Sequence, residues 1–309
     1  MEISVILHQM VQLFIVMGIG YLLFKVKMIG IEFNKQATKL LINCTMPATI
    51  MSSVLAQPAE RDLSVVYKVF GISLAIYIIL PVIAIILVKL MRIPKHEQGL
   101  YMFMTTFSNV GFMGFPVVGA IFGDTAVFYA AMFNIIFTVS SFTCGVVQIN
   151  YGVTASGEKL FNWKNLVSPG VLFSLLSVVV YMTGVTFPAD VVSVCNSLGA
   201  LTTPLAMLII GSTLATMDIK SVLNDKRVYI FTVIKQLIIP VVIWAGLRVI
   251  VHDPLILGVM TVLLLMPVAN NSVLFATMFE KDEKLAAKTV FISTVFSIIS
   301  VPLMMYLLG

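Results

Sequence analysis

Three long stretches without a charged residue constrain this chain more than any other feature of its sequence. They cover residues 72–88, 167–186 and 191–217. A helix needs about 20 apolar residues to cross the ~30 Å hydrocarbon core of a bilayer. Of all residues, 60% are hydrophobic and 11% are charged, whereas a soluble domain carries about 25% charged residues. We therefore predict an all-α polytopic membrane protein.

The apolar stretches predict ten transmembrane helices, here called spans 1 to 10. Most of the 19 Lys and Arg residues fall in loops that would lie on one side of the membrane, for example Lys25, Lys89 and Lys159. The positive-inside rule makes that side cytoplasmic. We expect a multi-pass protein of the cell membrane (plasma or inner) with both termini extracytoplasmic. The predicted spans are 4–24, 37–56, 65–90, 98–122, 126–149, 167–186, 191–216, 228–251, 255–279 and 286–308.

Prolines indicate that the two halves of the chain repeat each other. Three pairs in matching spans are separated by 157, 159 and 160 residues: Pro47 with Pro204, Pro81 with Pro240, and Pro94 with Pro254. Chance pairing among 12 prolines is the alternative. A duplicated unit of five spans must run inverted in its second copy, as in many secondary transporters. The predicted domains are a first repeat over 1–150, a cytoplasmic linker over 151–166 and an inverted repeat over 167–309.

Polar residues interrupt spans 4 and 9 near the middle of the membrane. Proline in a helix interior costs about 3 kcal/mol, and freed carbonyls in lipid cannot turn to water. Such a break persists where it is buried in protein or lines a cavity. Candidate substrate-binding residues are Asn109, Gly111, Gly114 and Pro116 in span 4, and Pro267, Asn270, Asn271 and Ser272 in span 9.

Two crossed broken helices would bring half-helix ends together at the midplane. Helix N-termini present unpaired N–H groups and partial positive charge, which suit an anion. Asparagine amides both donate and accept hydrogen bonds. The alternative is that these prolines and asparagines are ordinary packing features of membrane helices.

Three further residues, in spans 2 and 8, are weaker candidates for the same site. Asn43 and Pro47 mark a third predicted break, in span 2, which could equally be a structural kink. Lys235 lies within span 8, where its ammonium could neutralise helix C-termini or contact an anionic substrate. Its stem is also long enough to snorkel to the cytoplasmic surface.

Other classes of chemistry lack a signal in the sequence. Deep in the spans we find no Asp or Glu, no pair suited to catalysis and no GxxxxGK[ST] phosphate loop. The Cys and His residues have no metal-ligand spacing, and the net charge of +5 arises in loops. We therefore predict no enzymatic activity, no metal or other cofactor and no nucleic-acid partner. A channel would need repeated polar rings along a pore, and a receptor would not need an inverted repeat.

The two breaks resemble the signatures of a known family. Residues 108–116, SNVGFMGFP, resemble the span 4 signature of the auxin efflux carrier family, and residues 266–274, MPVANNSVL, resemble its span 9 signature. The resemblance extends over the whole chain in length, span number and break positions. It implies a fold like that of bile-acid transporters and sodium/proton antiporters, with spans 4 and 9 crossed.

The resemblance also implies a mechanism and partners. Spans 1, 2, 6 and 7 would form a scaffold, and the other spans a transport part that moves like an elevator. Family members move organic anions such as auxin, malate or malonate, and plant members are homodimers. The short loop between spans 5 and 6 is typical of the bacterial type. The prediction is thus a secondary transporter of small carboxylates. A sodium- or proton-coupled symporter of another solute class and an anion channel are the alternatives.

Overall fold

The computed structural model describes residues 3–55, 63–151, 169–216 and 225–308, so nearly all of the predicted linker lies outside the described residues. These residues form helices, with a single isolated antiparallel bridge between Ser108 and Val268. The all-α prediction is confirmed for this part of the chain. The helices of the first half are α1 (Ile3–Lys25), α2 (Ile31–Leu40), α3 (Met46–Leu55), α4 (Leu63–Leu90), α5 (Lys95–Thr106), α6 (Phe115–Phe122), α7 (Asp124–Phe142) and α8 (Cys144–Ile149). Those of the second half are α9 (Pro169–Thr183), α10 (Ala189–Ala200), α11 (Thr202–Ala215), α12 (Lys226–Val233), α13 (Ile239–Ile250), α14 (Pro254–Leu265), α15 (Asn271–Met278) and α16 (Glu283–Leu308).

Five helical segments of the described chain are long and apolar enough to cross a membrane. They are Leu63–Leu90, Asp124–Ile149, Ala189–Ala215, Lys226–Ile250 and Glu283–Leu308. On α4, Leu74, Ile78, Val82 and Ile86 form a stripe at helical spacing whose members are 53–61% exposed. Such a stripe suits a lipid environment, because lipid tails are as apolar as these side chains. The fold is that of a multi-pass helical membrane protein.

Three prolines inside helices follow a widened, π-helical turn. The turns are π1 (Leu41–Thr45), π2 (Val110–Gly114) and π3 (Ile234–Ile238), and they precede Pro47, Pro116 and Pro240. In π1 the N–H of Met46 donates to the carbonyl oxygen of Leu41, one residue further back than in an α-helix. The extra residue moves the preceding carbonyls away from the proline ring, which would otherwise clash with them.

This geometry corrects the prediction of a break in span 2. Residues 31–55 continue as one helical path through α2, π1 and α3, because the wide turn accommodates Pro47 without unwinding the backbone. The break predicted in span 4 lies at the start of the predicted segment, at Phe107–Asn109. Pro116 does not interrupt the helix, because it sits in the first turn of α6, where a missing N–H costs little.

Two glycines allow α1 and α11 to pack backbone to backbone. A Cβ atom on Gly211 would overlap the carbonyl group of Met17, and one on Gly20 would overlap the backbone of Leu208. Small residues permit this close approach between membrane helices. The two helices therefore form a tightly packed pair beside the broken helices.

Candidate functional site

Two broken helices cross, and their unwound backbones hydrogen-bond to each other. The N–H of Asn109 donates to the carbonyl oxygen of Pro267 at 2.8 Å, and the N–H of Ala269 donates to that of Phe107 at 3.1 Å. These bonds flank the bridge between Ser108 and Val268. A break leaves backbone N–H and carbonyl groups without partners in their own helix. Here the two breaks supply these partners to each other. Non-helical backbone in a membrane-spanning segment is stable when protein groups satisfy its hydrogen bonds.

The crossing brings four helix ends into one small region. Helix α5 ends at Thr106 and α14 ends at Leu265, so both point their carbonyl ends towards it. The turn π2 begins at Val110 and α15 begins at Asn271, so both point their N–H groups towards it. Partial charges of both signs therefore meet here. The N-terminal ends of π2 and α15 favour an anion, and the C-terminal ends of α5 and α14 favour a cation.

Asn109 combines a helix cap with an unused donor. Its Oδ1 accepts from the N–H of Phe112 at 3.3 Å, which caps the turn π2. Its Nδ2 is buried and has no hydrogen-bond partner among the described residues. A buried donor without a partner costs about 1–3 kcal/mol. A ligand that accepts from Nδ2 would recover this cost.

A cavity of about 240 Å³ opens at the crossing, and we call it the crossing cavity. Of the predicted site residues, it brings together Asn109, Gly111, Asn270 and Asn271. The other lining residues are Ile42, Met46, Ser108, Val110, Phe112, Asn134, Phe137, Thr138, Ser141, Phe142, Ala269 and Leu274.

Helix α7 contributes a polar face to this cavity that the sequence analysis missed. Asn134, Thr138 and Ser141 are buried and line the cavity together. The Thr138 and Ser141 hydroxyls donate to the carbonyl oxygens of Asn134 and Thr138, at 2.9 Å each. Their spacing of four and three residues in an otherwise apolar span places them on one helix face. That spacing is the signal that could have identified them.

The remaining predicted residues of spans 4 and 9 lie near the crossing but outside this cavity. A Cβ on Gly114 would come within 2.8 Å of Leu263 Cδ2, so this glycine lets π2 pack against α14. Pro267 contributes its carbonyl to the crossing. Ser272 is fully buried, and its hydroxyl has no hydrogen-bond partner among the described residues. Pro116 lines a different cavity.

The two predicted residues of span 2 do not line the crossing cavity. The Asn43 side chain donates to the carbonyl oxygen of Lys39 at 2.7 Å within its own helix, and Pro47 is buried in α3. Their neighbours Ile42 and Met46 reach the cavity instead. Span 2 therefore lies beside the crossing through apolar side chains.

Lys235 reaches the crossing from π3, and its side chain does not extend to the surface. Its ammonium donates to Ser108 Oγ at 2.7 Å and, at 3.4 Å each, to the carbonyl oxygens of Leu264 and Met266. The residue is 2% exposed. The ammonium therefore lies at the C-terminal end of α14, where a positive charge is stabilised by the helix dipole. Lys235 is absent from the lining of the crossing cavity.

Helix α16 supports the same side of the crossing. The hydroxyl of Ser293 accepts from the N–H of Val268 at 3.1 Å. The backbone carbonyl oxygen of Ser293 accepts from Gln236 Nε2 at 3.0 Å. Gln148 Nε2 donates to Thr106 Oγ1 at 2.9 Å at the end of α5. Ser293 of α16 thus stabilises the break of span 9, and Gln148 of α8 contacts the helix end at the break of span 4.

A second cavity, of about 660 Å³, is lined by residues of α6, which follows π2 in the chain. Gly111 and Phe112 line the crossing cavity, whereas Phe115 and Pro116 line the second cavity. Between them, Met113 is fully buried. The second cavity also contacts α1, α3, α10 and α11, through residues that include Gln12, Thr49, Asn196 and Thr203. One short helical segment therefore separates two cavities.

These features define a class of protein. A multi-pass helical membrane protein in which two broken helices cross, with half-helix ends facing a small cavity, has the architecture of a membrane transporter. The sequence profile of the membrane transport protein family matches residues 5–159 and 153–305. The chain belongs to this family, that of the auxin efflux carriers, which confirms the resemblance and indicates a transporter rather than an enzyme. An uncharacterized transporter of Methanocaldococcus jannaschii is 22% identical over 277 residues, which cover 88% of this chain and 89% of that protein.

Proposed function

We propose that this protein is a secondary transporter of small organic anions, with carboxylates as its substrates. The observation that carries the proposal is the buried Nδ2 of Asn109, which lacks a partner among the described residues and belongs to a residue that lines the crossing cavity beside two half-helix N-termini. Backbone N–H groups at helix N-termini and amide donors form a suitable site for a carboxylate. Among the described residues that line this cavity there is no Asp or Glu, so an anion would meet no like charge from them.

The size of the crossing cavity favours a small solute. Its volume of about 240 Å³ is below the roughly 300–1,000 Å³ typical of sites for drug-sized ligands. Malate, malonate and auxin-like acids are the candidates within this family. The apolar side chains of Met46 and Phe142 in the lining would contact the carbon skeleton of the substrate, and Asn109, Asn270 and Asn271 its carboxylate.

Alternating access by an elevator movement is the proposed mechanism. The crossing cavity and the second cavity are lined by successive residues of one helical segment, π2 and α6. Met113, which lies between these residues in the chain, is fully buried. In this proposal the tightly packed α1 and α11 belong to the scaffold, and the crossed helices move against it. An anion channel, the alternative, would need a continuous pore.

The wider organisation is part of the same proposal. We place the chain in the cell membrane as ten spans in two inverted repeats (1–150 and 167–309), with both termini extracytoplasmic. The two segments that match the family profile overlap at residues 153–159, within the predicted linker. We propose a homodimer, with a proton or sodium gradient as the energy source. A coupled symporter of another solute class is the alternative.

Uptake into proteoliposomes tests the proposal. Purified protein would be reconstituted and given radiolabelled malate, malonate or indole-3-acetate under imposed pH, sodium or voltage gradients. We expect saturable uptake of at least one of these anions and counterflow of label against unlabelled substrate. Uptake that rises linearly with concentration and lacks counterflow would favour the channel. Absence of uptake and counterflow with all three anions would refute the carboxylate assignment.

A further inference from the structure

Among the described residues, no carboxylate pairs with the buried amino group of Lys235. Its acceptors are one hydroxyl and two backbone carbonyls. None of the ion pairs found among the described residues involves it. A buried ammonium in a membrane-spanning segment is costly, and the carbonyl end of α14 offsets part of that cost. An anion near Lys235 would offset more.

Ser108 connects this charge to the crossing cavity. Its oxygen accepts the hydrogen bond from Lys235 at 2.7 Å, and the residue lines the cavity, which Lys235 does not. A serine hydroxyl has one hydrogen to donate in addition to its acceptor sites. With its oxygen engaged by an ammonium, that hydrogen can be directed to an acceptor in the cavity.

A hydroxyl that accepts from a cation becomes a stronger donor. Hydrogen bonds in a chain polarise one another, and the effect is larger where the local dielectric constant is low. Ser108 is 4% exposed and Lys235 is 2% exposed, so water screens this pair poorly. Ser108 also adjoins Asn109, whose Nδ2 is the unpartnered donor.

We propose that the Ser108 hydroxyl is a direct ligand of the substrate carboxylate and that Lys235 is a positioning residue acting on the substrate through it. This inference rests on the proposed function and adds two roles to it. Ser108 and Asn109 donate to the carboxylate side by side. Lys235 supplies the compensating positive charge from behind the crossing, without touching the substrate.

The test is a double-mutant cycle on anion uptake in proteoliposomes. The variants are Ser108→Ala, Lys235→Met and the double variant, with Ser108→Thr as the conservative replacement and Lys89→Met as the control for removing an exposed lysine. The probes are radiolabelled malate, malonate and indole-3-acetate. The half-saturation concentration is measured for each variant, and thermal stabilisation of the purified protein by the same anions provides a binding measurement.

We expect Ser108→Ala and Lys235→Met each to raise the half-saturation concentration by about tenfold, since a hydrogen bond that involves a charged group is stronger than one between neutral groups. The double variant should resemble the single variants, because the two residues act as one unit. Ser108→Thr should restore affinity to within about threefold of the wild type, because it retains the hydroxyl. Lys89→Met should leave the half-saturation concentration unchanged. If Lys235→Met does not fold, Lys235→Gln, which keeps a donor without the charge, should show the same loss.

The outcomes separate this inference from the proposed function. Normal affinity in Ser108→Ala, with wild-type uptake present, overturns the role of Ser108 and leaves the transporter proposal standing. Losses that multiply in the double variant show that Lys235 acts independently, which overturns the connection through Ser108. Absence of uptake of all three anions by the wild type overturns both proposals.

Discussion

The backbone N–H of Asn109 donates to the carbonyl oxygen of Pro267, with 2.8 Å between the nitrogen and the oxygen. The two residues belong to different broken helices and are far apart in sequence. The bond places Asn109 so that its Oδ1 caps π2, while its Nδ2 has no partner within the described part of the chain. One residue that lines the crossing cavity therefore joins the two helices, begins a half-helix and carries a buried donor.

Replacing Asn109 should strongly reduce transport at a modest cost in stability. Asn109→Ala removes the cap and the donor, so we expect uptake to fall by more than about tenfold and stability by about 0.5–2 kcal/mol. Asn109→Asp keeps an acceptor for the cap but replaces the donor with a negative charge, so it should also lose uptake. Uptake and thermal unfolding are measured together.

Asn150→Ala is the matched control for this prediction. Its Nδ2 donates to the carbonyl oxygen of Val146 near the end of α8, away from the crossing cavity. We expect uptake like that of the wild type. Equal uptake by Asn109→Ala and the control would remove Asn109 from the site.

The contact between α1 and α11 should not tolerate a methyl group. Gly211→Ala places a Cβ against the backbone of Met17, so the two helices must move apart. Overpacking of this kind costs about 1–3 kcal/mol. Gly18→Ala is the control, because a Cβ there meets no atom within 4 Å. A lower unfolding midpoint in detergent for Gly211→Ala alone is expected, whereas equal midpoints would contradict the packing argument.

Asp253 should contribute to stability without taking part in transport. Its Oδ1 accepts from the N–H groups of Leu255 and Ile256, at 2.9 and 3.1 Å, and caps α14. Asp253→Ala should therefore lower stability by about 0.5–2 kcal/mol and leave the affinity for substrate unchanged. Asp190→Ala provides a comparison, because Asp190 lies in the first turn of α10 without capping it. A smaller loss is expected there, and a larger one would argue against the cap.

Thiol labelling can locate the two cavities relative to the membrane. In a background without the native cysteines, Ala120→Cys in the second cavity should react with a membrane-impermeant reagent in intact cells. Leu274→Cys in the crossing cavity should react only after permeabilisation. Added substrate should change both rates in opposite directions, since alternating access exposes one side at a time. The opposite sidedness would reverse the proposed orientation. The cysteines to be replaced are Cys44, Cys144 and Cys195.

The sequence predicted the two breaks because their physical cause is local. Proline in an apolar helix leaves backbone groups that lipid cannot satisfy, and Pro267 lies within the break of span 9. In span 4 the break contains Asn109 and precedes Pro116 by several residues. Pro47 shows the limit of this reasoning. A π-helical turn absorbs a proline without unwinding the helix, and the choice between the two depends on what packs around it.

Composition and the placement of charges by themselves determined that the chain is an all-helical membrane protein, because a bilayer selects for length and apolarity. The residues of spans 4 and 9 determined where the helices break. Only the tertiary structure decided that Asn109 meets Pro267, that α7 adds a polar face, and that Lys235 turns inward to Ser108. The reason is geometric, because a lysine stem reaches the surface or a helix end equally well, and neighbouring helices determine which it contacts.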